Sequence, residues 1–512
     1  MPRPMQEPTP EMVWEGRSLA AGYYALGAAS LIPPPKFQRL LNVRVDRGSI
    51  DKRGGYTSFQ AGGAMTGGVA VNSVYSTYST SARKVVAAAN TRLFGIDTAG
   101  VVAVLSTSSP SGARYDFCEF DAAGTISVIG YTNTGAGFAF KWDSAAASVT
   151  ALGGPGVACG VVMSHSRRIW TATGRTIYVT EPDTNDTYTA GFSLTIKDNP
   201  EYGNITKMVS FARNFALIMC ERGMYTMLGS DPGSISGVPD IVIKALAPIG
   251  CPSTWGTVKV RDELYFFGVD EGQYGIFMTD STDVVKLTRD LEDDFDTVNT
   301  AVLTTVCAAK LGSDVLFSIP LGAATDGSTI YLIHRETPRR PIVTWQFAVM
   351  PRSMTWNRLT GVLYFGSQAA ANVYYHTPTT YNDDTTAIDM DVITGPFSMP
   401  GALGHRRIDL EEIEAHAKVV ASGSVAVSLG RDDDAVGSFT ALDSSPWSTA
   451  SSGTFMGDEG GASYAWQGVS RYLFHADPDT QAQAFRFRFR ENSTNNCQLY
   501  RMRAKGSVRK EQ

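Results

Sequence analysis

Short apolar or aromatic runs, paired through glycine-containing turns, recur between residues 85 and 378. A strand-like run, a tight turn and a second aromatic run are typical of antiparallel β-hairpins. The seven hairpins cover residues 91–95 with 101–105, 126–130 with 138–140, 168–170 with 176–179, 214–219 with 224–226, 263–267 with 275–277, 315–317 with 329–332, and 362–365 with 372–375.

The spacing of these hairpins predicts a β-propeller. Equivalent positions Ile169, Ala216, Tyr265, Leu316 and Tyr364 follow one another at steps of 47, 49, 51 and 48 residues. A four-stranded propeller blade takes about 40 to 50 residues, because one small sheet cannot bury both faces and must stack on its neighbours. The alternative is a β-sandwich of unrelated hairpins, in which turns come about every 8 to 12 residues. We expect a propeller of six or seven blades, partly irregular.

The pattern changes after about residue 380. A polar segment and a stretch rich in glycine and proline precede a second group of strands, among which Phe485 to Arg490 alternates strictly between aromatic and cationic residues. This period of two predicts strands with one buried face, as in a β-sandwich. The chain is therefore predicted to be all-β, with an extended N-terminal arm at 1–40, a β-propeller and the strand leading into it at 41–380, and a β-sandwich platform at 381–512.

The N-terminal arm contains a small, apolar run from Ser18 to Ile32. Glutamates precede this run and three prolines close it, which does not fit a secretory signal, and the run is too short and glycine-rich to span a bilayer. We expect the arm to pack on a neighbouring surface, without membrane insertion.

Composition limits the classes of partner. Hydrophobic residues make up 43% of the chain and charged residues 18%, a low charged share that favours a surface partly covered by other subunits. The net charge of −6 argues against a dedicated reader of duplex DNA, which needs a basic face. It does not argue against a passage through which DNA slides.

No motif for catalysis or metal binding is present in the sequence. The six cysteines are scattered singly, a usage that fits assembly under reducing conditions. Cys159 and Cys220 lie in apolar strand-like stretches and are predicted to be buried free thiols. None of the six histidines lies within four residues of another histidine or a cysteine, and no Gly-x-Ser-x-Gly, His-Glu-x-x-His or Walker motif occurs. We therefore expect no catalytic residue, no cofactor and no metal site, and a protein that is not an enzyme.

One basic concentration stands out in this acidic chain. The basic stripe consists of Arg486, Arg488, Arg490, Arg501 and Arg503. These residues form either the solvated face of half-buried strands or a surface that meets an acidic subunit or lies near DNA phosphates.

Two acidic groups resemble ligand sites only loosely. Glu292, Asp293, Asp294 and Asp296 lie in a predicted short helix from Thr288 to Asn299 but lack the spacing and glycine of a calcium loop. We expect this helix to be an exposed excursion between blades. Residues 431–434 lack the full form of the Asp-box turns of sialidase propellers and predict an ordinary hairpin turn.

Residues 40–56 resemble the segment that leads into the propeller of tail hub (nozzle) proteins of short-tailed bacteriophages, also called packaged-DNA stabilisation proteins. The matching features are the Asn42-Val43 strand, a turn, and the Lys52-Arg53-x-Gly element that ends at Tyr56. Residues 166–182 are similar to a blade hairpin of that family, and residues 408–417 and 485–504 to its sandwich strands. The resemblance covers most of the chain. It depends on the order of the entry segment, the propeller and the sandwich strands, and not on any diagnostic residue.

The resemblance implies a structural virion protein, located in the tail and assembled in the host cytoplasm. A homohexamer below the portal and its head-to-tail adaptor ring would enclose a channel that retains packaged double-stranded DNA and then conducts it without sequence recognition. Tail fibre or tailspike proteins would attach outside. Two alternatives remain open: a receptor- or glycan-binding propeller adhesin, and a propeller glycosidase or depolymerase with carboxylates converging at the axis.

Overall fold

The structure is a computed structural model in which nearly all regular elements are strands. It describes residues 11–15, 22, 36–46, 49–61, 65, 70–77, 83–122, 124–134, 137–232, 240–337, 340–398, 407–419, 425–431, 434, 438–441, 470–475 and 481–508. The short helices in these ranges are Pro200–Tyr202, Arg289–Leu291, Glu292–Phe295 and Thr300–Thr305.

The chain divides into two compact units that do not follow the predicted boundaries. Unit 1 comprises Met1–Gly55, Ile333–Gln346 and Thr377–Gln512, and unit 2 comprises Tyr56–Leu332 and Phe347–His376. The predicted boundaries near residues 40 and 380 therefore need correction at three places. Residues 41–55, 333–346 and 377–380 are predicted to belong to the propeller but lie in unit 1, so the platform is not confined to residues 381–512.

Unit 2 is a seven-bladed β-propeller. Its blades are antiparallel sheets that follow one another along the chain. Blade 1 contains Val71–Ser76, Arg83–Ala89, Arg92–Asp97 and Val102–Ser106; blade 2 contains Asp116–Ala122, Thr125–Thr132, Phe138–Asp143 and Thr150–Leu152; blade 3 contains Val161–His165, Arg168–Thr173, Thr176–Thr180 and Tyr188–Thr195; blade 4 contains Ile205–Ala212, Phe215–Cys220, Met224–Leu228 and Val242–Ala247.

The last three blades complete the circle. Blade 5 contains Ile249–Gly250, Thr257–Val260, Glu263–Asp270, Gln273–Thr279 and Val284–Lys286; blade 6 contains Cys307–Leu311, Asp314–Ile319 and Thr329–Ile333; blade 7 contains Pro351–Asn357, Val362–Ser367 and Val373–Thr377. The N-terminal strand Gly55–Ser58 lies beside the third strand of blade 7 and is the fourth strand of that blade. The ring is thus closed by combining strands from both ends of the propeller sequence, which leaves fewer unpaired edges.

Apolar side chains pack between neighbouring blades and form the core of unit 2. Blades 3 and 4, for example, share one cluster that includes Trp170, Ile177, Ile218 and Met227, all with less than 2% of their surface exposed. Similar clusters join blades 7 and 1, 1 and 2, 2 and 3, and 4 and 5. Burial of both faces of each sheet against its neighbours is the physical reason for the repeat spacing seen in the sequence.

The predicted hairpins are present in all seven blades. In blades 2 to 7 they form the second and third strands, whereas the hairpin at 91–95 and 101–105 forms the third and fourth strands of blade 1. The hairpin of blade 1 that corresponds to the others lies one strand earlier, at Arg83–Ala89 and Arg92–Asp97. The first strand of this hairpin, Arg83–Ala89, is alanine-rich and has no aromatic residue. A prediction based on aromatic runs therefore begins one strand later, at residues 91–95.

Unit 1 is a sandwich of two sheets. The first sheet contains Glu11–Glu15, Val43–Asp46, Ser49–Lys52, Ile408–Val419, Ser470–His475, Gln481–Ala482 and Cys497–Val508. The second contains Phe37–Leu41, Ile342–Trp345, Met390–Thr394, Phe397–Ser398, Val425–Arg431, Thr440–Ala441 and Ala484–Glu491. Asn382–Asp383 pairs antiparallel with Thr386–Ala387 in a short hairpin.

Much of the predicted N-terminal arm lies outside the described residues, including most of the run from Ser18 to Ile32. The described part is not a free arm. Glu11–Glu15 pairs antiparallel with residues 503–507, and Phe37–Leu41 pairs with Met390–Thr394, so both segments are strands of the sandwich.

The segment Lys52 to Tyr56 crosses from unit 1 to unit 2 along the chain, and its long side chains are buried within the unit to which each belongs. In unit 1, Lys52 forms an ion pair with Glu491, and Arg53 donates to both carboxylate oxygens of Asp383 at 2.7 Å. In unit 2, the Tyr56 ring contacts Phe365 edge-on at 5.1 Å. All of these side chains are buried, so the segment that carries the family resemblance is fixed in both units.

Candidate functional site

The axis of the propeller contains a cavity of about 400 Å³. The first strands of blades 1, 2, 4, 6 and 7, together with residues 254–259 of blade 5, line this cavity. The volume lies in the range of small-molecule sites and is far below what a nucleic acid duplex would need. This cavity is the principal candidate site in unit 2.

Arg114 spans one end of the cavity, where the first strands begin. Its guanidinium lies 3.9 Å from the ring centroid of Trp255, and its Nη2 donates to the carbonyl of Arg352 at 2.7 Å. It also donates to the carbonyls of Asn72 and Thr304. One side chain thereby joins segments of several blades, and its burial lowers the pKa of the guanidinium to about 10.

Asp116 lies in the cavity wall and is fully engaged. Its carboxylate forms an ion pair with Lys207 and accepts hydrogen bonds from the backbone N–H of Val162 at 2.9 Å and of Phe117 at 3.0 Å. Among the described residues that line the cavity, Asp116 is the one carboxylate. A pair of carboxylates suited to glycoside hydrolysis is therefore not assembled among them.

Lysines from three consecutive blades line one side of the cavity. They are Lys207 of blade 4, Lys259 of blade 5 and Lys310 of blade 6. The ammonium of Lys259 donates to the carbonyls of Ser210 and Phe211 at 2.8 and 2.9 Å, and burial lowers its pKa. The opposite side, from blades 7, 1 and 2, carries aromatic rings instead.

Sequence reasoning missed these cavity residues, although a signal for the lysines exists. Lys207, Lys259 and Lys310 follow one another at steps of 52 and 51 residues, close to the blade repeat. Lys207 and Lys310 lie on the first strands of blades 4 and 6, and Lys259 lies on Thr257–Val260 of blade 5, whereas the aromatic hairpins of these blades are formed by other strands. An alignment of the blade sequences with one another places the three lysines at equivalent positions, which predicts that they meet at the propeller axis.

The basic stripe of unit 1 is largely neutralised. Arg488 and Arg490 each make two hydrogen bonds, at 2.8 to 2.9 Å, to Asp391 and Asp389 respectively. Arg486 is 1% exposed and donates to Gln38 at 2.7 Å. The expectation of a solvated cationic face is therefore wrong for Arg486 and Arg488, because acidic and polar side chains of the neighbouring strands face them.

The other two stripe residues lie in the other sheet of the sandwich. Arg501 and Arg503 belong to Cys497–Val508, whose backbone pairs with Ile408–Val419. The side chain of Arg503 is outside the described part of the structure. The five arginines therefore do not form one continuous surface, since the sequence alternates strands between the two sheets.

The acidic helix is less exposed than expected. Leu291 and Phe295 are buried, and Phe295 packs against Tyr331 with ring centroids 5.1 Å apart. Tyr331 also donates to Asp294 at 3.0 Å. These contacts fix the helix on blade 6. At residues 431–434, the backbone of Arg431 and Asp434 makes a turn as predicted, with Asp434 accepting from the N–H of Arg431 at 2.9 Å.

The cysteines are free thiols, five of them buried and Cys118 half-buried, and the prediction of buried free thiols at Cys159 and Cys220 is confirmed. Burial raises the pKa of Cys159 to about 11 and of Cys251 and Cys307 to about 12. Within the described ranges, no group of three or more metal-ligating side chains occurs, and no helix is long and apolar enough to cross a membrane.

Fold and site together define a seven-bladed β-propeller inserted into a β-sandwich, with a polar and aromatic cavity on the propeller axis. No known family model matches the sequence, and no curated protein matches it. Among solved structures, the chain is similar to Chaetomium thermophilum Raptor, with 10% identity, a TM-score of 0.42, and coverage of 65% of this chain and 30% of Raptor. It is also similar to a chain of a mitotic checkpoint complex, with 10% identity, a TM-score of 0.42, and coverage of 68% and 96%.

Proposed function

We propose that this protein is a structural subunit of the tail nozzle of a short-tailed bacteriophage. In this proposal, six copies form a ring around an axial channel below the portal and its adaptor ring. The channel retains packaged double-stranded DNA and then conducts it, and the outer surface anchors tail fibres or tailspikes. The protein acts mechanically in the virion tail.

The observation that carries the proposal is the construction of the segment from Lys52 to Tyr56. This segment resembles the nozzle family in sequence, and in the structure its charged residues are buried in the sandwich while Tyr56 is buried in the propeller. A buried ion pair is costly to break, so the charged residues of the segment are held firmly within unit 1, and the Tyr56 ring is held within unit 2. A segment held firmly within each unit suits a protein that resists the pressure of packaged DNA.

The small volume of the propeller cavity favours a DNA passage enclosed by the ring of subunits over a passage through the propeller of a single subunit. A cavity of about 400 Å³, spanned at one end by Arg114, has room for a small molecule and not for a duplex. DNA would therefore pass along an axis that the ring of subunits encloses. Such a wall should carry little net positive charge, since each phosphate contact adds binding free energy and slows movement.

Exposed apolar side chains support extensive contacts between subunits. On the outermost strand of blade 4, Val242 is 45% exposed and pairs in register with Leu228, which is 44% exposed. Val101 and Val104 are similarly exposed at blade 1. Apolar side chains grouped at the outer edges of blades are typical of surfaces that other chains cover.

Electron microscopy of the intact assembly tests the proposal. A sixfold ring of this chain on the tail axis, between the adaptor and the tail tip, is the expected result. A trimer at the tail periphery would contradict it and favour the adhesin alternative. Native mass spectrometry of the purified chain provides an independent measure, in which a hexamer or its half-assembled forms are expected.

A further inference from the structure

The charged side chains that line the propeller cavity already have partners. Asp116 forms an ion pair with Lys207. Lys259 donates to two backbone carbonyls, and its ammonium lies 4.7 Å from the ring centroid of Phe211. Lys310 also interacts with a neighbouring group. Because these charges are engaged within the protein, the uncharged groups of the lining determine what the cavity recognises.

Several uncharged polar groups of the lining are available to a ligand. The hydroxyls of Thr254 and Thr257 and the indole N–H of Trp356 make no hydrogen bond to the part of the chain that the structure describes. The hydroxyls of Ser353 and Thr355 accept from backbone N–H groups of blade 1 at 2.9 and 3.2 Å, which leaves each hydroxyl proton able to donate elsewhere. Blades 5 and 7 therefore supply hydrogen-bonding groups to the cavity.

Aromatic residues line the cavity beside these polar groups. The rings of Tyr75 of blade 1 and Phe117 of blade 2 stack with centroids 5.2 Å apart, and Trp356 of blade 7 adds a third ring. A pyranose has a flat face of C–H groups, which packs on aromatic rings, and a rim of hydroxyls, which exchange hydrogen bonds. A cavity of about 400 Å³ that combines aromatic rings with hydroxyl groups suits such a molecule.

We propose that the axial cavity of the propeller binds a small uncharged sugar, whose ring packs on the aromatic residues of blades 7, 1 and 2 and whose hydroxyls bond to the polar groups of blades 5 and 7. Arg114 and Trp255 occupy one end of the cavity, so the sugar enters from the other end. This assignment is independent of the nozzle function, because it depends on unit 2 alone.

Isothermal titration calorimetry of the full-length chain tests the assignment. The sugar probes are glucose, galactose and N-acetylglucosamine. Cyclohexanol, a ring with a single hydroxyl, and glycerol, a polyol without a ring, are the comparison compounds. We expect at least one sugar to bind with a Kd of about 1 mM or tighter, and both comparison compounds to bind at least about tenfold more weakly, since each lacks one of the two features that the cavity recognises.

Variants of the lining locate the bound sugar in the cavity. Trp356→Leu removes a flat ring and an N–H donor, Thr257→Val removes only a hydroxyl, and each should weaken sugar binding by about tenfold. Thr150→Val is the matched control, because Thr150 is exposed on the outermost strand of blade 2, and it should leave binding unchanged. Thr257→Val keeps the shape of the side chain, so it remains a test if Trp356→Leu is unstable.

Three outcomes would overturn the assignment. They are failure of every sugar probe to bind the wild-type chain with a Kd of about 1 mM or tighter, binding of cyclohexanol or glycerol within about tenfold of the best sugar, and unchanged sugar affinity in either lining variant that retains the thermal unfolding midpoint of the wild-type chain.

Discussion

Lys52 and Arg53 are consecutive in the chain, and each forms a buried ion pair with a residue far along the sequence. The side chains of Lys52 and Glu491 are 0% and 1% exposed, and those of Arg53 and Asp383 are 0% and 4% exposed. Burial lowers the pKa of Lys52, which shows that removing this ammonium from water is costly even beside Glu491. Such pairs specify one arrangement, because a residue left without its partner would be a buried, uncompensated charge.

Removal of one member of the Arg53–Asp383 pair should strongly destabilise unit 1. We expect Arg53→Ala to cost about 3 to 5 kcal/mol, since it leaves Asp383 buried without its partner. The measurement is thermal unfolding followed by circular dichroism. Arg167→Ala is the matched control, because the pair of Arg167 with Asp183 is exposed and should contribute at most about 1 kcal/mol. Equal midpoints for the two variants would contradict this explanation.

The buried cysteines should be unreactive in the native protein. A pKa raised from 9.0 to about 12, as for Cys251 and Cys307, means that thiolate is about a thousandfold scarcer than for an ordinary thiol at the same pH. We expect slow reaction with a thiol reagent at neutral to mildly alkaline pH, and reaction of all six cysteines after unfolding in guanidinium. Rapid modification of several thiols in the folded chain would be inconsistent with this burial.

The same pKa shifts predict lower stability at alkaline pH. A thiol whose pKa is higher in the folded than in the unfolded state holds its proton more tightly when folded, so its contribution is complete below the unfolded value of 9.0. This contribution is lost as the pH rises from 9.0 towards about 12. Unfolding midpoints measured across this range should fall. A Cys307→Ala variant should show a smaller fall, and an identical pH profile would contradict the assignment.

At the scale of elements, blade 7 shows how the propeller closes. Its fourth strand is Gly55–Ser58, which comes from the start of the propeller sequence. Tyr56 is the anchor of this strand: its ring contacts Phe347, Phe365 and Tyr374, and its hydroxyl accepts from the N–H of Val349 at 2.7 Å. A buried aromatic residue with a satisfied hydroxyl combines apolar burial with a fixed register.

Substitutions at Tyr56 should separate these two contributions. Tyr56→Ala removes the ring and should destabilise unit 2 by about 3 to 5 kcal/mol, whereas Tyr56→Phe removes only the hydroxyl bond and should cost about 1 to 3 kcal/mol. Differential scanning calorimetry measures both effects. If Tyr56→Ala were no more destabilising than Tyr56→Phe, the strand would not be the closure of the propeller that the structure shows.

At the scale of the whole molecule, the chain passes between the two units four times, after residues 55, 332, 346 and 376. The sandwich is consequently built from segments that precede, interrupt and follow the propeller. Phe37–Leu41 pairs with Met390–Thr394, and Ser49–Lys52 pairs with Cys497–Val508. The propeller is thus an insertion within the platform and not a domain that precedes it.

A fragment that begins at the predicted platform boundary should therefore fail to fold. Residues 381–512 lack the strands at 37–52 and 342–345, which exposes the edges of the remaining strands and leaves Glu491 buried without Lys52. We expect no cooperative thermal transition in circular dichroism, in contrast to the full-length chain. A sharp transition of the fragment would show that the platform folds independently of the upstream strands.

Local patterns in the sequence were sufficient for the class of fold and for most of the propeller. Turns and aromatic hairpins are encoded by neighbouring residues, and their spacing reflects the size of a blade, so seven hairpins corresponded to seven blades. The aromatic face of Phe485 to Arg490 is buried as its period of two predicted. These features follow from contacts between residues close in sequence.

Only the tertiary structure decided which distant segments meet. It assigned residues 37–52 and 342–345 to the sandwich, paired Arg490 and Arg488 with Asp389 and Asp391, and brought Lys207, Lys259 and Lys310 to one axis. Each of these outcomes depends on partners from other blades or strands, often hundreds of residues away. Hydrophobic periodicity specifies the face that a strand buries, but it does not specify which strand or charge lies opposite, and that choice produced both the ion pairs of the sandwich and the cavity of the propeller.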